Sequence, residues 1–254
     1  MKPIFNLLFT LSLFCLISCE KDTINPQDDD QDDDNNYCEF DTFIVNNYKQ
    51  DAKYLYFHEF ISDSSHPNFN NPLIDSCEVI KFLEIIQSVY NLNSPQSDTI
   101  FNIYKIHGYY CYAFKWISLK VKTELPEIIN LSNGIIPAGA SDLDILLTTY
   151  HFDSVKTSYY YPRVPWITIF THEEYNMIPL ERRFSDLPQI LNASFSKACL
   201  GDGDNISVTR KNDSATITFS IGWGDCPSGC IFRKYWEFNV KDGMATFVKT
   251  YDNQ

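Results

Sequence analysis

Two cysteines near the C-terminus have a spacing that points directly to chemistry. Cys226 and Cys230 are separated by Pro-Ser-Gly, so both thiols lie at a tight turn and within reach of a disulfide bond. We predict a disulfide that stabilises a hairpin. A redox centre is the alternative, because a disulfide in a small loop is readily reduced. The pair lacks, however, the CxxC spacing and the helix N-terminus that lower the pKa of a thiol.

The segment 222–236 around this pair also has the composition of an exposed binding loop. Aromatic and charged side chains at a loop tip are typical of contact sites. The side chains that we consider for such a site are Trp223, Asp225, Arg233 and Tyr235.

The run 201–205 (GDGDN) has the carboxylates of a calcium loop, but its spacing does not fit one. Ile206 occupies the position of the third ligand, and the glutamate that closes an EF-hand loop is missing. We therefore expect a tight turn here rather than a metal site.

Other arrangements that could carry catalysis are incomplete. The five histidines lack metal-ligand spacing, and His172-Glu173 lacks the second histidine of a zinc helix. The chain has neither a nucleophile elbow nor a phosphate-binding loop. The adjacent acids Glu173 and Glu174 are typical of a solvated surface. We predict no catalytic residue, no metal site and no cofactor.

Residues 1–18 are predicted to be a signal peptide. Lys2 precedes an apolar stretch that is too short to span a bilayer comfortably. The stretch ends in Leu-Ile-Ser-Cys, which resembles the lipobox of bacterial lipoproteins. That resemblance implies cleavage before Cys19 and attachment of diacylglycerol and palmitate to it. An ordinary secretory signal with an incidental cysteine is the alternative.

Residues 19–36 are predicted to be a flexible acidic tether. They carry eight acidic residues and one lysine, out of a net charge of −13 for the chain, and such a run repels itself and stays extended. Acids beside the lipidated cysteine resemble the export signal of Bacteroidota surface lipoproteins. We expect an outer-membrane protein, lipid-anchored and facing the medium, with a periplasm-facing orientation as the alternative. The acidic charge excludes nucleic acid as a partner.

The C-terminal third resembles a recurring module of exported bacterial proteins. The resemblance rests on GDGDNI at 201–206 and GWGDCPSGC at 222–230, followed by a Tyr-Trp pair at 235–236. It covers residues 166–254. The module has no assigned activity, so the resemblance implies a shared fold and a shared loop but no catalytic residue.

Residues 37–163 are predicted to form an N-terminal α+β unit. Asp75 and Glu78 have the spacing of a helix cap, and a helix is predicted over 76–90. A second helix is expected to begin at Ser141. Ile117, Leu119 and Val121 alternate along one face of a strand. The predicted strands are 54–57, 99–106, 114–122 and 155–161.

Residues 164–254 are predicted to form a second α+β unit that contains the disulfide hairpin. The boundary falls at a proline-rich seam, 161–165. A strand at 166–170 and a helix over 176–185, capped by Asn176, precede a meander of strands. One helix packed across a curved antiparallel sheet is an α+β arrangement whose element order is similar to that of cystatins. The meander strands are predicted near 189–195, 205–210, 216–223, 231–240 and 244–251.

Alternating apolar residues predict the register of two hairpins in this meander. Asp242-Gly243 is a strong two-residue turn signal and sets Phe238 opposite Phe247. Matching the apolar faces of the preceding hairpin pairs Trp223 with Phe232 around a four-residue loop, 226–229. A three-residue loop would need a bulge to keep these faces together.

Two further sets of residues, the cysteines and four short motifs, have features expected of an exported protein. An even number of cysteines remains after cleavage and predicts up to three disulfides of open connectivity. These cysteines are Cys38, Cys77, Cys111, Cys199, Cys226 and Cys230. Four short motifs resemble the O-glycosylation sequon of Bacteroidota exported proteins, with acceptors at Thr23, Thr99, Ser154 and Ser214.

We carry three functions forward from the sequence. The first is a non-enzymatic binding module whose site lies at the hairpin tip or at the seam near Trp166. The second is a secreted hydrolase with an unrecognised site, and the third is a protease inhibitor, suggested by the cystatin-like order alone. The expected partners are outer-membrane lipid, through the acyl anchor, and an unknown protein or glycan. The aromatic fraction of 15% is compatible with carbohydrate stacking and equally with a chain of many strands.

Overall fold

Two four-stranded antiparallel sheets and six α-helices build the part of the chain that the structure describes, residues 40–160 and 164–253 of a computed structural model. The α+β class predicted from the sequence is confirmed. A π-helical segment, Thr99–Tyr104, continues the third helix. The helices are α1 (Thr42–Phe60), α2 (Ser76–Tyr90), α3 (Pro95–Asp98), α4 (Pro126–Ser132), α5 (Ser141–Thr149) and α6 (Met177–Ser185). The strands are β1 (Trp116–Val121), β2 (Phe152–Tyr160), β3 (Val164–Thr171), β4 (Ile190–Ser194), β5 (Asn205–Lys211), β6 (Ser214–Trp223), β7 (Phe232–Lys241) and β8 (Met244–Asn253).

The strand predicted at 54–57 is wrong, because these residues lie within α1. The helix begins where the Asp41 side chain accepts a hydrogen bond from the Phe43 amide at 2.8 Å. The aromatic run at 54–57 is strand-like in composition, but it belongs to a longer helical pattern. The buried residues of that pattern include Ile44, Tyr48, Ala52 and Leu55.

The strand predicted at 99–106 is also wrong. Ser94 and Ser97 form a reciprocal capping box, and Pro95 occupies the first helical position, which together start a helix immediately before this segment. The π-helical turn that follows buries Ile100 and Phe101. Local capping therefore overrides the strand-like run of apolar residues.

The other predicted helices are confirmed. The Asp75 carboxylate caps α2 by accepting from the amides of Cys77 and Glu78. In α6 the side chain of Asn176 accepts from the amide of Ile178. The helix expected from Ser141 is α5.

The first sheet has the strand order β2-β3-β1-β4. Its buried face contains Ile117 and Leu119 of β1 beside Ile167 and Ile169 of β3. Helix α6 packs on β1 and β4, and α4 and α5 pack on β2. The alternation predicted for β1 is confirmed, since every second residue of Trp116–Val121 is buried. The opposite face of this sheet is partly exposed.

The second sheet is the meander β5-β6-β7-β8. Its buried face contains Ile217, Phe219 and Phe238. The helix that packs across it is α2, which contacts β6, β7 and β8, whereas the sequence assigned that position to α6. The strand predicted first in the meander, β4, pairs instead with β1 in the other sheet.

The strands are not divided between the sheets at the predicted seam. β2 and β3 lie on either side of that seam and pair with each other over their length. The two sheets separate between β4 and β5. The predicted signal peptide, 1–18, and tether, 19–36, lie outside the described residues. In the described part of the chain, no helix is both long and apolar enough to cross a membrane.

Disulfide bonds, which the sequence predicted, join two pairs of cysteines within the described residues. Cys226 and Cys230 are bonded with their Cα atoms 3.9 Å apart. Cys111 and Cys199 are bonded across 88 residues with their Cα atoms 5.0 Å apart. Cys77 is also disulfide-bonded.

Candidate functional site

The hairpin formed by β6 and β7 has the predicted register. Trp223 lies opposite Phe232, and a single 3₁₀ turn, Cys226–Ser228, connects the strands. The disulfide spans this turn. A rigid, covalently closed tip therefore stands at the end of two long strands.

Gly222 allows the disulfide to approach the strand closely. A Cβ atom at this position would lie 2.5 Å from the sulfur and 2.9 Å from the Cβ of Cys230. Such distances are shorter than a carbon contact tolerates. The residue at 222 therefore has to be glycine for the hairpin and the disulfide to pack together.

The loop 201–204 is fastened to this hairpin by Arg233. The guanidinium lies 2.6 Å from Oδ1 of Asp202 and donates to the carbonyl of Gly203 at 2.8 Å. It also donates to the hydroxyl of Ser220 at 3.0 Å. The amide of Asp202 also donates to the carbonyl of Cys226 at 2.8 Å, so the two sequence motifs that carried the resemblance to exported bacterial proteins are in direct contact.

The carboxylates of this loop accept hydrogen bonds from the hairpin. Asp202 Oδ2 accepts from the amide of Cys230 at 3.3 Å, and Asp204 Oδ1 accepts from the amide of Gly222 at 3.1 Å. The Arg233 guanidinium, together with the amides of Gly203 and Cys230, holds the pKa of the Asp202 carboxyl below its usual value. Within residues 40–160 and 164–253, no three metal-ligating side chains are grouped as a metal site would require.

The four side chains predicted for a binding loop do not form one site. Trp223 is exposed and Asp225 lies at the exposed start of the turn. Arg233 is 13% exposed and engaged with Asp202. Tyr235 stacks on Tyr251 with ring centroids 4.7 Å apart, on the face of the sheet opposite Trp223.

A different set of residues forms an exposed apolar surface at the tip. Trp223 stacks on Phe232 with ring centroids 5.9 Å apart, and Ile231 directly precedes Phe232 in the chain. Their exposed fractions are 45%, 40% and 59%, respectively. We call Trp223, Ile231 and Phe232 the tip surface.

A second surface lies on the partly exposed face of the first sheet, at the seam near Trp166. A shallow, open groove of about 490 Å³ runs there. Three aromatic and five hydroxyl-bearing residues line it. We call it the tryptophan groove; its main residues are Trp116, Trp166, Ser118, Thr168, Ser158 and Ser194.

Sheet register brings these residues together. Ser118 of β1 lies between Thr168 of β3 and Ser194 of β4, and the hydroxyls of Ser118 and Thr168 are 2.9 Å apart. Trp116 was missed from the sequence. Its signal was the alternation Trp-Ile-Ser-Leu-Lys-Val in β1, which places the indole and the hydroxyl on the same face.

Two histidines are oriented by carboxylates. Nδ1 of His107 lies 2.7 Å from the buried carboxylate of Asp51, which also accepts from the amide of Gly108 at 2.6 Å. The hydrogen bond to Asp51 raises the pKa of His107, against the effect of burial. On another surface His151 and Tyr175 both hydrogen-bond to Glu173.

The acids and sequons singled out in the sequence occupy varied environments. Glu173 is engaged as described, and Glu174 pairs with Lys53, whose side chain is largely buried. Thr99 lies in the π-helical segment and donates to the carbonyl of Pro95. Ser154 and Ser214 are exposed on strands, and Thr23 and Cys19 lie outside the described residues.

Comparison of the chain with protein families, with curated proteins and with solved structures yields no match.

Proposed function

We propose that this chain is an outer-membrane lipoprotein of the Bacteroidota type that presents a binding module at the cell surface. The Leu-Ile-Ser-Cys run and the acidic segment after Cys19 support the anchor and its export. Acyl chains bound at Cys19 would hold the protein through hydrophobic burial, at roughly 0.8 kcal/mol per CH₂. The module itself would act by binding rather than by catalysis.

The observation that carries the binding proposal is that the tip surface is exposed and held in a fixed position. Trp223 and Phe232 are 45% and 40% exposed, although large aromatic side chains are usually buried where the fold permits. The disulfide and the Arg233–Asp202 ion pair already fix the loop that presents them. A partner would therefore lose little entropy in ordering it.

The composition of the tip surface favours a protein as the partner. Tryptophan and phenylalanine are enriched at the centres of protein interfaces, where a few such side chains supply most of the affinity. Ile231, which is 59% exposed, adds further apolar area. We assign the tip surface to a protein that offers a complementary apolar pocket.

Site-specific photo-crosslinking on intact cells tests the contact. Benzoylphenylalanine placed at Ile231 is expected to yield one discrete adduct, which Trp223→Ala reduces strongly. The same probe at Ile145, which is 62% exposed on α5, is the matched control and should yield none. The absence of any adduct from the probe at 231, or an adduct that contains only two copies of this chain, contradicts the proposal of a protein partner.

The anchor and its orientation are tested separately. Cys19→Ala should release the protein from the membrane fraction, since lipid attachment needs that thiol. Protease added to intact cells should degrade the wild-type protein if it faces the medium. Protection until the outer membrane is permeabilised would place it on the periplasmic side.

One observation favours a hydrolase as the second candidate. Asp51 is buried and contacts Nδ1 of His107, whose side chain is 45% exposed, and carboxylates orient general-base histidines in this way. A hydrolase that used this pair would lose activity in His107→Ala and retain it in Trp223→Ala. Ester, peptide and glycoside substrates assayed with both variants separate this candidate from the binding module.

A further inference from the structure

We propose that the tryptophan groove binds a neutral oligosaccharide. This site is separate from the tip surface and does not depend on the function assigned to that surface. The proposal rests on the placement of two indoles, the hydroxyls between them and the absence of charge among the residues that line the groove.

The two indoles flank the groove at opposite ends. Trp116 lies opposite Phe170, whereas Trp166 lies opposite Lys120, four positions further along β1. At about 3.4 Å per residue, these two levels of the sheet are roughly 14 Å apart. This separation is larger than a single small ring would need, and it suits a short chain of sugar units.

The hydroxyls lie between the indoles. Ser118 and Thr168 form the middle rung and hydrogen-bond to each other at 2.9 Å, and Ser194 continues the row on β4. Each hydroxyl has one donor and two acceptor positions. The Ser118–Thr168 pair therefore keeps one donor and three acceptor positions for a ligand.

The indoles and the hydroxyls match the face and the edge of a pyranose ring, respectively. One side of the ring presents C–H groups, which are attracted to the electron-rich face of an indole. Its edge presents hydroxyls, which pair with Ser and Thr as donors and acceptors. Ligand sites combine such apolar walls with a few placed polar groups.

The residues that line the groove favour an uncharged ligand. The chain carries a net charge of −13, yet none of the eight residues that line the groove is charged. Lys120, opposite Trp166, and Lys156, opposite Thr168, lie on the same face and border this lining. Affinity would come mainly from stacking and hydrogen bonds with the uncharged lining.

The experiment is a glycan array probed with the full-length lipoprotein in mild detergent, followed by calorimetric titration of the best neutral glycan. We expect binding to neutral hexose oligosaccharides, with affinity that rises from one sugar unit to several. Trp116→Ala and Trp166→Ala should each weaken binding roughly three- to tenfold. Trp166→Phe should restore most of the loss, because the stacking surface is kept.

Two further variants distinguish a loss of glycan binding from a loss of folding. Thr168→Val keeps the shape of the face and removes one hydroxyl, so a several-fold loss at unchanged melting temperature would support the groove. Tyr251→Ala removes an exposed aromatic from the other sheet and should leave glycan affinity unaltered.

Three outcomes would overturn the proposal. These are no binding to any neutral glycan on the array, binding to acidic glycans alone, and wild-type affinity in the Trp116→Ala/Trp166→Ala double variant. Capture of a peptide in the groove without glycan binding would assign it to a protein partner instead.

Discussion

Arg233 and Asp202 form an ion pair of 2.6 Å between Nη2 and Oδ1, and this pair joins the disulfide hairpin to the loop that precedes β5. The arginine was predicted as a contact residue for a ligand. Its guanidinium is instead occupied by the protein itself, with the carbonyl of Gly203 and the hydroxyl of Ser220 as its other acceptors. The pair supports the tip surface rather than forming part of it.

Removing this arginine should destabilise the protein. Arg233→Ala removes the ion pair with Asp202 and the donor to the Gly203 carbonyl, which should lower the free energy of unfolding by about 1–2 kcal/mol. Urea denaturation measures the change. Lys249→Ala, which removes a lysine 3.7 Å from Glu237 on an exposed part of β8, is the control and should change stability by less than about 0.5 kcal/mol. Equal effects of the two variants would show that Arg233 does not stabilise the loop.

Asn176 should tolerate serine better than aspartate. Its Nδ2 lies 2.9 Å from the carbonyl of Asn71 and 3.2 Å from those of Asn68 and Phe69, while its oxygen caps α6. Asn176→Ser keeps a capping oxygen and should cost about 1–2 kcal/mol. Asn176→Asp turns a buried carboxylate towards those carbonyls and should cost about 3 kcal/mol or more. Thermal or urea unfolding of both variants measures the order, and the reverse order would contradict it.

The Asp51–His107 pair should make stability depend on pH. The pKa of His107 is raised above the ordinary value of 6.5 by the hydrogen bond to Asp51, with Asp204 contributing. The protonated ring is thus favoured by folding, so the stabilisation is fully present below pH 6.5 and declines as pH rises through the raised pKa. The destabilisation caused by His107→Gln should therefore be largest in mild acid and shrink in mild base.

Melting temperatures from about pH 5 to about pH 9 check this slope. His58→Gln, at an exposed position of α1, controls for the loss of a histidine. A His107→Gln effect that grows with pH would mean that Asp51 does not stabilise the protonated ring.

The Cys111–Cys199 and Cys226–Cys230 bonds should differ in their contribution to stability. Cys111–Cys199 closes 88 residues and Cys226–Cys230 closes four. In the chain-entropy account, losing the first costs roughly 4–5 kcal/mol and losing the second roughly 2 kcal/mol. Paired serine variants measured by urea denaturation test the difference. If the Cys226–Cys230 bond were a redox centre, its loss would also abolish a dithiol activity, which we do not expect.

Local patterns predicted much of the fold. The Asp242-Gly243 turn and the alternation around it fixed Phe238 opposite Phe247, as observed, because a two-residue hairpin leaves one register. The caps Asp75 and Asn176 located the starts of α2 and α6 for a similar reason. Such signals depend on neighbouring residues alone.

The incorrect predictions concern places where residues distant in sequence determine the structure. Residues 54–57 are aromatic enough for a strand, but the longer 3.6-residue period beginning at Ile44 places them in α1. β4 follows α6 as a meander strand would, yet its backbone pairs with β1, about 70 residues earlier. The tryptophan groove depends also on the long-range pairing of β1 with β3, so Trp116 and Trp166 could not be joined from spacing.

The Cys111–Cys199 bond has a consequence for how the protein would respond to cleavage. All four strands of the first sheet, with α4, α5 and α6, lie in the covalent ring that this bond closes. A single protease cut within the ring leaves every fragment attached, so the nicked molecule would keep its full mass until a reductant is added. Only a gel run under reducing conditions would therefore reveal the cut.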